Sequence, residues 1–339
     1  MKTLSVKDFA ALVGVSEKTV SRVLNDDPKV KASTKEHILS KMYEYDFYPN
    51  AHSRRLRSKK NFVIGVAFAD YSGYSYNALL TKGIIRASDR LFYDVVIRPI
   101  DLGTPDSTQK ELESFLRRTA LDGLILPAPL CNDPTILKIV ISARIPLVGV
   151  GSESVRPSVY CDEVGAARSI VEHLIELGHS DIGIIVPESS DNGSAHWRLQ
   201  GYKQALDAAS IPINNEWLIK YNDSDTQEDT FIKKLLQRAD RPSAIFAFND
   251  GVAAKVYKYA LQLGIKIPHE LSVIGFDDDP ISEVLWPPLT TVSQPVVELG
   301  QEAANLLIKR CIMQNDDYII SPLKCSLVER SSVAPYLRH

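Results

Sequence analysis

Two helical hydrophobic patterns separated by a glycine open the chain. Gly14 stands between them and suits the positive φ of a tight turn. Ser5, followed by Asp8 three residues later, and Ser16 are typical N-caps for the two helices. Val20 falls where the second helix must pack back against the first. This spacing predicts a helix-turn-helix, whose second helix enters a DNA major groove.

A third helical pattern runs from about Ser33 to Asp46, and its first four residues, Ser-Thr-Lys-Glu, match a capping box. With the first two helices it predicts a small core made of Phe9, Val13, Val20, Val23, Leu24, Ile38, Leu39, Met42 and Tyr45. The basic segment that follows Pro49 has one large apolar residue, Leu56. Because so short a helix is marginal in water, we predict a hinge that orders between DNA and a second copy of itself. A disordered linker is the alternative.

Beyond Asn61, short apolar runs alternate with helical patterns. The predicted strands are 62–68, 95–97, 123–126, 145–150, 182–186, 217–219, 244–248 and 271–276. The predicted helices are about 75–91, 107–119, 135–142, 165–177, 196–209, 226–238 and 251–263. Two such series predict two doubly wound α/β lobes, with a ligand at the strand carboxyl ends, between the lobes.

Charge is divided unevenly along the chain. Residues 1–60 contain 13 Lys and Arg against 7 Asp and Glu, a net charge of +6, whereas the remainder contains 26 against 35, a net charge of −9. The whole-chain charge of −3 therefore combines a basic N-terminal segment with an acidic remainder. This asymmetry indicates that the N-terminal segment binds the phosphates of a nucleic acid. A solvated helical cap without a partner is the alternative, but it needs neither the turn spacing nor the clustered charge.

Length and motifs narrow the function classes further. At 339 residues, 45% hydrophobic and 24% charged, the chain has the balance of a folded protein with two or three domains. The four cysteines are far apart, so we expect thiols in a reducing compartment and no metal site. Phosphate-loop, dinucleotide, zinc-protease and Gly-x-Ser-x-Gly motifs are absent, so we predict neither an enzyme nor a cofactor. Without a signal peptide or a membrane span, a cytoplasmic location is expected.

Nine strings along the chain, taken in order, resemble one protein family. They are Thr19–Asn25, Tyr48–Ala51, Arg55–Arg57, Ala120–Leu126, His173–His179, Arg198–Tyr202, Phe248–Asp250, Val273–Asp278 and Pro287–Val292. With these strings the chain resembles the lactose/galactose repressor (LacI/GalR) family of bacterial transcription regulators. The resemblance implies a homodimer or tetramer on a pseudo-palindromic operator. It also implies a core similar to periplasmic sugar-binding proteins, in which a small metabolite loosens or tightens the grip on DNA.

The predicted fold is thus a small all-α helix-turn-helix headpiece plus an α/β core of two doubly wound, periplasmic-binding-protein-like lobes. We place the helix-turn-helix domain at 1–48, the hinge at 49–60 and the core at 61–339. Lobe 1 spans about 61–160 and 290–322, and lobe 2 about 161–289 and 323–339. The predicted function is a DNA-binding regulator of the repressor type that responds to a sugar or sugar derivative. A sugar-type solute-binding protein without DNA function is the alternative, which leaves the headpiece unexplained.

The predicted DNA contacts lie on the second helix and in the hinge. Arg22 can fork to a guanine or clamp a phosphate, and nearby hydroxyls suit phosphate oxygens. Glu17 either accepts from a cytosine amino group or stabilises the helix N-terminus. Lys18 is predicted to touch DNA, with a solvated lysine as the alternative. By resemblance, Leu56 is a minor-groove wedge, with packing on the core as the alternative. The full set is Ser5, Ser16, Glu17, Lys18, Thr19, Ser21, Arg22, Asn25, Asn50, Ser53, Arg54, Leu56 and Arg57.

The resemblance also implies effector contacts from loops that follow several strands. The predicted set is Asp70, Tyr74, Tyr76, Asn192, Ser194, Arg198, Asn249, Asp277 and Trp286. Carboxylate, amide, hydroxyl and guanidinium groups beside an aromatic wall are suited to a polyhydroxylated ring. Alternatively, Asp277 caps a turn, Arg198 pairs with a carboxylate across the cleft, and Tyr74 and Trp286 pack in the ordinary way.

Three departures from the family pattern bear on the effector. Gly73-Tyr74-Ser75-Tyr76 replaces a common Asn-Pro-Phe-Phe, Gly151 replaces a frequent aspartate, and Asp162-Glu163 replaces a frequent Asp-Asn. A site that loses one carboxylate and keeps an arginine favours an anionic sugar acid or sugar phosphate, with a neutral sugar as the alternative.

Overall fold

Three short helices open the chain: α1 (Val6–Val13), α2 (Glu17–Leu24) and α3 (Ala32–Glu44). The predicted capping box begins α1, because the Ser5 side chain accepts from Asp8 N at 3.1 Å while the Asp8 carboxylate accepts from Ser5 N at 3.2 Å. In the turn after α1, Gly14 has a φ of 73°, as predicted. We call the described residues from 4 to 47 the headpiece.

The headpiece core is a single cluster of apolar side chains. Its buried members are Phe9, Ala10, Val20, Val23, Ile38, Met42 and Phe47. Two predictions for the third helix are wrong. Tyr45 is exposed, because Phe47 takes the core position and stacks on Phe9 with ring centroids 4.2 Å apart. The capping box predicted at Ser33 is not formed, because the helix already starts at Ala32.

The computed structural model describes residues 4–24, 27, 29–45, 47, 60–69, 74–188, 193–221, 229–313 and 321–336. Contacts divide the chain into two compact units. The first unit comprises Met1–Ser72, Leu80–Val150 and Gly300–Ile319, and the second comprises Gly73–Leu79, Gly151–Leu299 and Ile320–His339.

The α/β part of the chain begins with strands and helices in alternation. They are β1 (Val63–Ala69), α4 (Tyr74–Arg90), β2 (Asp94–Ile100), α5 (Pro105–Arg118), β3 (Gly123–Pro127), α6 (Pro134–Ser142) and β4 (Leu147–Val150). In the first unit the strands pair in parallel in the order β2-β1-β3-β4. The β3 residues are all buried, which agrees with the continuous apolar run of a central parallel strand.

The second unit follows the same alternation. Its elements begin with β5 (Ser158–Val159), α7 (Glu163–Glu176), β6 (Ile182–Pro187), α8 (Ser194–Ala208), β7 (Leu218–Tyr221) and α9 (Asp229–Gln237). Next come β8 (Ala244–Ala247), α10 (Asp250–Leu263), β9 (Ser272–Ile274), α11 (Ile281–Val284), β10 (Thr291–Ser293), α12 (Val296–Met313) and β11 (Ser326–Val328). From Gly300 onward, α12 belongs to the first unit. Four strands pair in parallel in the order β7-β6-β8-β9, which confirms a second doubly wound sheet. The antiparallel pair β10-β11 was not predicted.

One glycine positions the polar groups of the second unit. At Gly201 on α8, an added Cβ would lie 2.4 Å from the carbonyl oxygen of Val164 on α7. Only a residue without a side chain permits this close approach of two helix backbones. The approach places Arg198 of α8 opposite Glu163, the first residue of α7.

Candidate functional site

The second helix of the headpiece separates apolar from polar residues. Val20 and Val23 are buried in the core. Glu17, Lys18 and Ser21 are exposed on the same helix. Helix α2 therefore carries the polar surface that the sequence predicted for contact with DNA.

The hydroxyls and the arginine of this region have local partners. The Ser16 side chain accepts from Thr19 N at 3.1 Å, and the two side-chain oxygens lie 2.8 Å apart, so Ser16 caps α2. Arg22 is half exposed, and its Nε lies 3.5 Å from the Asp27 carboxylate. The remaining predicted contacts lie outside the described residues: Asn25, Asn50, Ser53, Arg54, Leu56 and Arg57.

A buried arginine organises the polar edge of the second unit. Arg198 Nε donates to Glu163 Oε2 at 2.8 Å, and both side chains are only 4% exposed. Its Nη1 donates to the carbonyl oxygen of Phe248, just beyond β8. Its Nη2 lies 3.4 Å from Asp277 Oδ1, just beyond β9. The sequence named Arg198 and Asp277 but missed Glu163 as a site residue.

Aromatic rings cover the same guanidinium. Arg198 Cζ lies 3.7 Å from the ring centroid of Phe276 and 4.5 Å from that of Phe248. Burial alone would lower the pKa of Arg198, but the Glu163 and Asp277 carboxylates more than offset it, so the pKa is raised. The guanidinium is therefore a permanent cation at neutral pH, held by hydrogen bonds and by cation–π contacts.

Asp277 is the most accessible charged group of this cluster. Its side chain is 25% exposed, and its Oδ1 accepts from Gln294 Nε2 at 2.7 Å. Burial raises its pKa to about 6, although Arg198 and the Gln294 hydrogen bond act in the opposite direction. Its φ of 106° is strained for a residue with a side chain, which is common at binding sites.

A second carboxylate, which the sequence analysis missed, lies in the same region. Asp250 is 1% exposed, accepts from Thr291 Oγ1 at 2.6 Å and accepts from Asp279 N at 2.8 Å. Burial raises its pKa to about 7, more than these hydrogen bonds lower it. Its position at the start of α10, directly after Asn249, is the signal that could have drawn attention to it.

The structure brings some of the other predicted effector residues to this edge. Ser194 Oγ donates to Glu163 Oε1 at 2.9 Å and thereby joins the Arg198 cluster. The Asn249 side chain accepts from Val252 N at 2.9 Å and caps α10. Trp286 is 88% exposed after α11. Tyr76 is partly buried on α4, and Tyr74 is the first residue of that helix, whereas Asp70 and Asn192 lie outside the described residues.

A metal site and a membrane-spanning helix are both absent from the described residues. Within the described ranges, no group of three or more His, Cys, Asp or Glu side chains is arranged to hold a metal ion. The helices of that part of the chain include none that is long and apolar enough to span a bilayer.

Comparison with known proteins agrees with both halves of the chain. Residues 5–50 match the model of bacterial regulatory proteins of the lacI family, and residues 171–333 match a periplasmic binding protein-like domain. The regulator DegA of Bacillus subtilis (strain 168) is 33% identical over 307 residues, which cover 89% of each chain. The chain belongs to the lacI family. It is therefore a DNA-binding transcriptional regulator with a helix-turn-helix DNA-binding domain, as the sequence predicted.

Solved structures extend the similarity over nearly the whole chain. A complex of the transcriptional regulator CelR with cellobiose is 25% identical, with a TM-score of 0.72, and covers 97% of this chain and 99% of that one. The lac repressor dimer bound to operator and the anti-inducer ONPF is 27% identical, with a TM-score of 0.70, and covers 98% and 100%. These relatives are regulators rather than enzymes, and the two-lobed periplasmic-binding-protein-like core is confirmed.

Proposed function

We propose that this lacI-family regulator is a repressor whose affinity for a pseudo-palindromic operator is controlled by a sugar or sugar derivative. The observation that carries the proposal is the end-to-end similarity to a repressor bound to its operator and to a regulator bound to cellobiose. The chain supplies both parts that such control needs, an exposed polar helix in the headpiece and a buried polar cluster in the second unit.

On the DNA side, we assign base and phosphate contacts to α2. Lys18 is exposed near the helix N-terminus, where side chains of a recognition helix meet base edges. Arg22 is half exposed, and the ion pair that its side chain forms within the described residues is a long one, to Asp27, so a DNA phosphate can replace this carboxylate. Ser5 and Ser16 act first as helix caps in this proposal and position α1 and α2 for the groove.

On the effector side, we assign sugar hydroxyls to the Arg198 cluster. Asp277 can accept from two neighbouring hydroxyls, and Ser194 and Gln294 can exchange hydrogen bonds with the ring. Asn249 keeps its amide nitrogen for a ligand while its oxygen caps α10. The predicted placement of the effector between the two lobes stays a prediction.

We further propose that the active form is a homodimer joined partly through α10 and α11. Leu261 on α10, Val284 on α11 and Trp286 just after α11 are each at least 80% exposed, and exposed large apolar residues are typical of subunit interfaces. Tyr257 Oη donates to Pro287 O at 2.8 Å and holds the two elements together. A second copy of this chain fits because the similar lac repressor structure is a dimer.

Band shifts with genomic fragments test the DNA part of the proposal. Specific fragments should be retarded, with affinity that falls steeply as salt rises because phosphate contacts release counterions. Lys18→Gln should weaken this binding, whereas Lys203→Gln, which makes the same charge change at an exposed residue of α8, should not. Failure to retard any fragment at low salt, with or without sugars, would refute the proposed function.

Oligomeric state tests the dimer separately. Val284→Asp places a charge in the proposed interface and should give monomers in light scattering. Ile141→Asp makes the same change at an exposed residue of α6 and should leave the dimer intact. A monomeric wild-type protein would refute this part. A regulator of this kind acts on the chromosome, so we expect a cytoplasmic location. We also expect no catalytic activity, since the proposed function is binding alone.

A further inference from the structure

Glu163 is fully committed to neighbouring side chains. Its Oε2 accepts from Arg198 Nε at 2.8 Å, and its Oε1 accepts from Ser194 Oγ at 2.9 Å. The side chain is 4% exposed. Neither oxygen needs a ligand, so the role of this carboxylate must be sought in what it does to Arg198.

Arg198 is buried, and each of its three side-chain nitrogens has a protein partner. Its three nitrogens donate to Glu163, to Phe248 O and to Asp277. Two phenylalanine rings cover its faces. A ligand carboxylate needs two adjacent N–H groups for the forked contact that makes arginine an anion receptor. Three of the five N–H groups already face protein oxygens and the side chain is only 4% exposed, so Arg198 acts as a structural counter-charge here.

The charge that remains is negative. Two carboxylates share one guanidinium, and Asp277 is the only member that is 25% exposed, against 4% for the other two. The next cation on this edge, Arg330, is itself 2.7 Å from the Asp278 carboxylate. Asp279 adds a further carboxylate close enough to act on Asp277. An incoming ligand therefore meets hydrogen-bond acceptors with a surplus of negative charge.

We propose that Glu163 sets the charge selectivity of the effector site, so that it accepts neutral or amino sugars rich in hydrogen-bond donors and rejects sugar acids and sugar phosphates. The inference rests on the proposed function, since it names the ligand class of the same site. It reverses the preference for an anion that the sequence suggested, because the sequence did not show that Arg198 is already paired.

Ligands matched in shape but different in charge test the selectivity of the full-length wild-type protein. Glucose, glucosamine and glucuronate form one series, and galactose, galactosamine and galacturonate form another. Calorimetry should give at least tenfold weaker binding for the acid than for its neutral or amino partner. An acid that binds as tightly as either partner overturns the inference and leaves the proposed function standing.

Glu163→Gln tests the cause. The variant keeps the side-chain volume and frees the positive charge of Arg198, so glucuronate, galacturonate and sulfate should each gain at least tenfold in affinity. Glu172→Gln is the matched control, since it removes a half-exposed carboxylate on the same helix, where the partner is Arg168. Unchanged anion binding in Glu163→Gln, or an equal gain in both variants, overturns the inference.

Asp277→Asn keeps the test decisive if the first variant does not fold. It removes the other carboxylate and should also gain at least tenfold for the three anions, and no gain overturns the inference. If no sugar of any charge binds the wild-type protein, the sugar part of the proposed function fails. The measurements with glucuronate, galacturonate and sulfate on the two variants still decide whether carboxylates at this edge exclude negative ligands.

Discussion

The headpiece and the second unit place their charged residues in opposite ways. In the headpiece the interior is apolar, and Lys18 and Arg22 lie at the surface of α2. In the second unit Arg198 is 4% exposed and surrounded by carboxylates and aromatic rings. The difference matches the two kinds of partner. DNA is a large polyanion that comes to a surface, whereas a small ligand must be met by groups that are fixed before it arrives.

The two arrangements also differ in energy. Surface charges are screened by salt and contribute little to the stability of the fold. The basic side chains of the headpiece are therefore available to bind DNA. A buried ion pair contributes little net stability as a pair, but removal of one partner leaves a desolvated charge. The second unit should therefore tolerate changes at its cluster far less well than the headpiece tolerates changes at α2.

The largest expected effect is at Arg198. Arg198→Met leaves the buried Glu163 carboxylate and the partly buried Asp277 carboxylate without a cation and should destabilise the protein by about 3–5 kcal/mol. Urea unfolding of the full-length protein measures the loss. Arg168→Met removes the half-exposed partner of Glu172 on α7 and should cost about 0–1 kcal/mol. Similar losses in the two variants would contradict the contrast drawn here, and Glu163→Gln combined with Arg198→Met should recover part of the loss.

The headpiece should be sensitive at its apolar core instead. Ile38 is fully buried on α3, so Ile38→Ala should cost about 2–5 kcal/mol, enough to unfold a module of this size. Band shifts should show loss of operator binding, while sugar binding by the second unit persists in calorimetry. Leu12→Ala, an exposed position on α1, should preserve both activities. Loss of sugar binding in Ile38→Ala would show that the two regions do not fold independently.

Most of the headpiece could be predicted from the sequence because its determinants are local. The Ser5 cap, the Gly14 turn and the burial of Val20 follow from spacings of a few residues. The errors arise where helix periodicity stops being informative. Tyr45 continues the helical spacing but is exposed, since the chain turns after α3 and Phe47 reaches the core.

The effector cluster could be predicted only in part because its partners are distant in sequence. Arg198 and Asp277 follow from the family resemblance, but Glu163 is 35 residues from Arg198, and nothing in its local spacing indicates an ion pair. The sequence shows that Asp162-Glu163 departs from the family pattern, but it does not show that Glu163 pairs with Arg198. Asp250 was missed for the same reason, since its hydrogen-bond partners Thr291 and Asp279 are 41 and 29 residues away.

The pH dependence of stability sharpens the contrast in the second unit. Burial holds the pKa of Asp250 at about 7, above the ordinary value of 3.8 for an aspartate, so the folded protein keeps a proton that the unfolded chain has lost. Its contribution to stability is therefore present at low pH and is lost as pH rises, by about 2 kcal/mol between pH 5 and 7. Asp250→Asn removes this titration and keeps the side-chain volume.

Urea unfolding at pH 5, 6 and 7 measures the difference between wild type and Asp250→Asn. The comparison cancels other groups, including buried His179, whose pKa is lowered by burial and whose effect has the opposite sign. The wild-type protein should lose stability relative to the variant as pH rises. A difference that does not change with pH would show that Asp250 is ionised throughout this range.

The smallest expected effect separates the structural role of Ser5 from contact with DNA. Ser5→Ala removes the cap of α1 and should cost about 1 kcal/mol, whereas Ser5→Asp keeps a capping oxygen and the stability. Thr104→Ala removes the equivalent cap of α5 and should leave operator affinity unchanged. If Ser5 acts only as a cap, Ser5→Asp binds operator like the wild type in band shifts. If its hydroxyl meets phosphate, the added charge weakens operator binding although the headpiece stays folded, and Ser5 then belongs to the DNA surface as the sequence predicted.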